Sequence, residues 1–186
     1  MQPLRNSDDQ VMIWMPWAQQ PHTYYALRLG DAVLATLHWP RHGAELVAAR
    51  SAEGRWVFQQ SQAPHARVNV WPADSSASTG VFEAGWGGGI LRLANGPTFH
   101  WGRTRAHDRA EWVDQGPLMR FRRDAGAGPA VGYVTVEPAA RDLPQLALLA
   151  LLGWYLLHPQ PADVVAAPLG RRRATTETLR PVPPGA

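Results

Sequence analysis

No cysteine and no lysine occur anywhere in this chain of 186 residues. The missing thiols exclude disulfides, thiolate nucleophiles, palmitoyl anchors and cysteine-bound zinc, and they fit a reducing, cytoplasmic setting. Without lysine, all 18 basic residues are arginine, which does not titrate below about pH 12. The nominal isoelectric point of 9.9 therefore overstates a formal charge of only +3. Charged residues are also scarce, at 18% against a usual share of about 25%. No segment reaches the charge density of a dedicated nucleic-acid binder, so nucleic acid is disfavoured as a partner even with Arg171-Arg172-Arg173 near the C-terminus. The N-terminal stretch lacks a basic segment and a small-residue cleavage site, so a secretory leader is not expected.

Chemical motifs are absent as well. There is no Gly-x-Ser-x-Gly, and Ser75-Ser76-Ala77-Ser78 beside Asp74 reads as a solvated loop. Of the seven histidines only His38 and His42 are closely spaced, and Pro40 between them opposes a helix that would turn both to one face. Gly85-Trp86-Gly87-Gly88-Gly89 precedes the strand-like Ile90-Leu91-Arg92-Leu93, so no helix N-terminus follows to receive a phosphate, and the stretch reads as a hairpin loop. Asp108, Glu111 and Asp114 sit among arginines, where ion pairing accounts for them without acid–base chemistry. The chain presents no recognisable catalytic, metal-binding or cofactor motif.

What is present is a long series of short strands. From Tyr24 onward, runs with a period of two alternate with breaks at Gly, Pro, Asp or Asn. Tyr25, Leu27 and Leu29 share a face with Arg28 opposite, Gly30-Asp31 turns the chain, and Val33 to Trp39 resumes. Further strands are predicted near 45–50, 55–60, 66–71, 80–84, 89–93, 97–102, 110–114, 117–123 and 130–136. Residues 1–20 read as an N-terminal arm or first strand, through Val11-Met12-Ile13-Trp14-Met15. The total is about twelve strands, the spacing of a sandwich or a barrel.

The pattern then breaks into a helix, expected over about 142–158, with Asp142 as a cap and Pro144 in its first turn. Leu146 to Leu157 holds no charge and is apolar on every side, so it must be enclosed on every side. Leu143 to Leu157 would extend about 22 Å, short of the roughly 30 Å of bilayer hydrocarbon. An integral span is not expected. The strands are the only material left to enclose it, which predicts an antiparallel barrel closed around the helix over 21–158. The remaining 159–186, rich in Pro and Arg, reads as a disordered tail.

This order of strands and helix resembles the tubby-like superfamily of tubby C-terminal domains, phospholipid scramblases and LURP-one-related proteins. The residues that carry the likeness are Asp31 to Leu37, Gly54-Arg55-Trp56-Val57-Phe58, Gly132-Tyr133-Val134-Thr135-Val136 and Leu146 to Leu157. The resemblance implies a twelve-stranded antiparallel barrel around a central C-terminal helix, peripheral to a membrane in some relatives. The chain departs from that family in having no lysine to pair with arginine at a phosphoinositide site and no acidic calcium segment. Its helix is also followed by a Pro-rich tail.

One cluster points to a ligand. Arg103, Arg105, Arg109, Arg120, Arg122 and Arg123 fall within 21 residues. If Met119 and Phe121 face inward, Arg120 and Arg122 project outward together. Arg103, Arg105, Arg120 and Arg122 are thus the candidate ridge for an anion or a partner, since guanidinium holds oxyanions bidentately. The expected function is a non-catalytic binding or scaffold domain that recognises a membrane phospholipid or a protein partner through its outer surface. The alternative is an enzyme with a loop-built site at one barrel end. Trp14, Trp17 and Trp86, in the less regular segments, would mark an interface if exposed.

Overall fold

A computed structural model describes residues 1–4, 11–17, 20–40, 46–61, 66–106, 108–124 and 130–158, with only the backbone of 20–23. The tail expected to be disordered, 159–186, lies outside the described residues.

Twelve strands follow in chain order. They are β1 (Met12–Trp17), β2 (Gln20–Leu29), β3 (Ala32–His38), β4 (Leu46–Ser51), β5 (Arg55–Ser61) and β6 (Arg67–Pro72), then β7 (Gly80–Gly85), β8 (Gly88–Leu93), β9 (Thr98–Arg103), β10 (Arg109–Val113), β11 (Pro117–Asp124) and β12 (Val131–Val136). Each pairs antiparallel with the next, and β1 closes the barrel on β12 through Met12–Val134 and Trp14–Gly132. Closure leaves no open sheet edge among these strands.

Alternation sets the inner face. In β4 the odd positions Val47 and Ala49 are buried while Leu46, Ala48 and Arg50 are exposed. In β11, Met119 and Phe121 turn inward and Arg120 and Arg122 outward. The helix α1 (Leu146–Leu157) occupies the lumen, and every one of its side chains except that of Leu156 is buried. Lumen and helix are therefore one core, as a helix without a polar face requires.

The helix starts later than the sequence suggests, and Asp142 does not cap it. Pro144 disfavours the α conformation at Leu143. The chain instead takes a 3₁₀ turn at Pro138–Ala140, and a further i to i+3 bond links the Leu146 N–H to the Leu143 carbonyl before the α ladder begins.

Two glycines let wall and axis meet. A Cβ at Gly153 would collide with the Phe121 ring, and one at Gly132 with the Trp154 indole. The buried Trp112 indole N–H donates to the Leu149 carbonyl at 2.9 Å, which fixes the helix against β10. At the chain start Leu4 is fully buried in the same core, and its N–H donates to Glu53 Oε1 at 2.7 Å. The arm is thus partly structural: Leu4 fills the core, and β1 is a stave.

The helix gives the barrel two distinguishable ends. Its leading end gathers residues 1–4, the turns 30–31, 52–54, 73–79, 94–97 and 114–116, and the approach 137–145. Its trailing end gathers Trp39, the turn 86–87, the segment around 104–108, and His158.

Candidate functional site

The four candidate arginines separate into two places. Arg120 and Arg122 lie on the outer wall, and register sets Arg120 opposite Glu111 and Arg122 opposite Arg109. Arg120 is held by Glu111 at 3.8 Å and Glu137 at 2.7 Å. Arg122 reaches Asp124 at 3.6 Å and lies 4.4 Å from the centre of the Tyr133 ring. Exposed pairs of this kind contribute at most about 1 kcal/mol, so an incoming oxyanion could exchange with the carboxylates. The wall is not, however, a field of bare positive charge.

Arg103 and Arg105 belong to the trailing rim. Arg103 is in phase with the inward Phe99 and Trp101, and its guanidinium donates to the Leu156 carbonyl at 3.4 Å. Arg123, in phase with Met119 and Phe121, donates to the Leu157 carbonyl at 3.2 Å. Two arginines from the wall thus meet the last carbonyls of the helix, where the helix dipole favours cations. Arg105, in the turn between β9 and β10, is exposed, and no ion pair or hydrogen bond falls on it among the described residues.

Aromatic rings close the same end from within. His158 lies 4.7 Å from Tyr25, 5.1 Å from Trp39 and 5.8 Å from Trp154, ring centre to ring centre. Burial raises the Tyr25 phenol above its usual range, and a backbone hydrogen bond with Ala130 opposes that shift. Burial raises Tyr155 further. Both phenols stay neutral across physiological pH and act here as packing. At the rim, the Thr104 hydroxyl donates to Asp108 at 2.9 Å and holds that carboxyl below the ordinary range, with a smaller contribution from Arg109.

The leading end carries a hollow of about 430 Å³ lined by Met1, Arg50, Ser51, Glu53 and Arg55 among others. Arg50 and Arg55 face each other across the β4–β5 pair, and neither has an acidic partner among the described residues. Like charges set directly opposite cost stability, though exposure to water moderates that here. Spacing could have suggested this pair only with the register known.

Charge differs between the ends. Counting described connections and the two outermost residues of each strand, the trailing end holds five arginines (Arg67, Arg103, Arg105, Arg109 and Arg123) against Asp108 and Asp124. By the same count the leading end holds five arginines against six carboxylates. At the trailing end Trp86 occupies the tip of the β7–β8 hairpin and is 100% exposed. The glycine-dense stretch is therefore a hairpin turn, and what it displays is an indole. The expectation of an interface thus rests on Trp86, since Trp14 is wholly buried and Trp17 half-buried.

No group of three or more His, Asp or Glu side chains is poised to share a metal ion among the described residues. No helix among them is long and apolar enough to cross a membrane. Comparison with protein-family models, with curated proteins and with solved structures returned no match.

Proposed function

We propose that this domain is a non-catalytic binding module of the tubby-like kind, which recognises a phospholipid head group or a protein partner through its outer surface. One observation carries the reading: the lumen, the usual ligand chamber of a barrel, is filled by α1. Binding therefore falls to the wall and the rims. Support comes from guanidinium groups in both places. Arg120 and Arg122 stand on the wall with more than half of each side chain in solvent, and Arg105 stands on the rim. Their planar forks match phosphate or carboxylate oxygens.

The test combines flotation on vesicles of phosphatidylcholine, with and without phosphatidylserine, with capture of a protein partner that is then purified and titrated against the domain. Saturable binding in at least one arm is expected. The double variant Arg120→Ala/Arg122→Ala assigns the wall if binding weakens about tenfold, as the loss of two charge-assisted contacts implies. A wild-type domain that binds neither vesicle nor protein would overturn the reading.

A further inference from the structure

We infer that the trailing end of the barrel docks on an anionic bilayer, with Trp86 entering the head-group layer and Arg105 contacting lipid phosphate beside it. This deepens the reading above and rests on it.

Trp86 is the outlier among the tryptophans. The eight other tryptophans are buried or half-buried, while this one exposes its whole surface. It sits in a two-residue turn between the paired Gly85 and Gly88, with Gly87 at φ 72°. Glycine neighbours on both sides supply no side chain to shelter the ring. The turn is nonetheless tied down, because the Arg103 N–H donates to the Gly87 carbonyl at 2.8 Å. The indole is thus presented at the apex of an anchored hairpin.

Its surroundings select the occupant. A protein interface of standard size buries about 800 Å² on each side around an apolar centre. Here the ring stands among glycines, and the other large apolar side chain exposed at this end among the described residues is Leu46, at the start of β4. Among the described residues, such a surface gives a protein partner separate apolar anchors and no continuous apolar floor. A bilayer interface asks for less: an amphipathic ring at head-group depth and basic side chains close to anionic lipid. Arg105 lies in the turn that follows β9, the strand next to β8, and no partner holds it among the described residues. Among the described residues, arginine exceeds the carboxylates at this end and not at the leading end. One apolar and one electrostatic contribution, each weak alone, add to a reversible attachment.

The experiment uses the full chain and vesicles of phosphatidylcholine alone or with an equal part of phosphatidylserine, read as a partition coefficient by sedimentation. Wild type is expected to partition onto the mixed vesicles and to release as salt rises. Trp86→Ala should lower the coefficient about tenfold, the scale of one withdrawn aromatic side chain. Arg105→Ala should lower it about fivefold, and Trp86→Phe should keep most of it. Because both side chains lie in solvent, unchanged thermal melting is the control for folding. If wild type binds the mixed vesicles and Trp86→Ala binds equally well, the docking surface is overturned while the binding-module reading stands. If no vesicle is bound but a purified protein is, the bilayer is overturned and the module again stands. If neither is bound, both fail together.

Discussion

The two ends of the helix are closed by different chemistry. At the leading end the closure is apolar and covalently early: Leu4 fills the core, Glu53 accepts its N–H, and Trp112 bonds the first turn of the helix through Leu149. At the trailing end Tyr25, Trp39, Trp154 and His158 pack edge-on or tilted in the mouth, and Arg103 and Arg123 meet the terminal carbonyls. The leading end also leaves Arg50 and Arg55 exposed, with no acidic partner among the described residues. The trailing end turns to solvent an indole, Trp86, and Arg105, which has no partner among the described residues. The two ends therefore differ in the exposed indole and, among the described residues, in the balance of arginine over carboxylate.

The sharpest way to break this comparison is to disturb the axis near its trailing half. Gly153→Val would drive a branched side chain into the Phe121 ring, which cannot retreat because Trp101 packs edge-on at 5.3 Å. Overpacking of this order costs about 3 kcal/mol. Urea denaturation measures it, and a loss below about 0.5 kcal/mol would show that the wall yields. The leading plug should be next. Leu4→Ala removes a fully buried side chain, with an expected loss of about 2 kcal/mol, the low end for leucine because a chain terminus can resettle. No change in the denaturation midpoint would mean that Leu4 rests on the barrel without closing it. Both variants should keep whatever vesicle binding the folded fraction shows.

The architecture was legible because two periodicities are unambiguous here. Alternation in Val47–Ala49 or Met119–Phe121 fixes the face of a strand, and a helix apolar all round from Leu146 to Leu157 demands enclosure. Composition could not show what depends on register or on distant contacts. Leu4 stands in the polar stretch before Val11, and its burial depends on distant contacts such as the hydrogen bond of its N–H to Glu53 in the β4–β5 turn. Arg103 and Arg120 look alike in sequence, yet their phase relative to Trp101 and Phe121 sends one to the helix end and the other to solvent. Asp142 resembled a cap, but Pro144 opposes the α conformation at Leu143 and moves the helix start to Leu146. The Arg50–Arg55 pair emerges only when the strands are aligned.

The smallest expected effect tests the charged closure of the trailing end. Arg123→Met keeps most of the aliphatic stem and removes the guanidinium that donates to the Leu157 carbonyl at 3.2 Å. A cation at a helix C-terminus contributes about 0.3 to 1 kcal/mol at the surface and up to about 2 kcal/mol when partly buried, and the Arg123 Nε is itself buried without a partner among the described residues, a cost that the substitution removes. The net loss should therefore be about 0.5 kcal/mol and should shrink as salt screens the dipole. A loss equal to that of Leu4→Ala would make the two closures energetically alike. A gain would show that the rings packed around His158 close the mouth alone, which would leave Arg123 available to the same surface as Arg105.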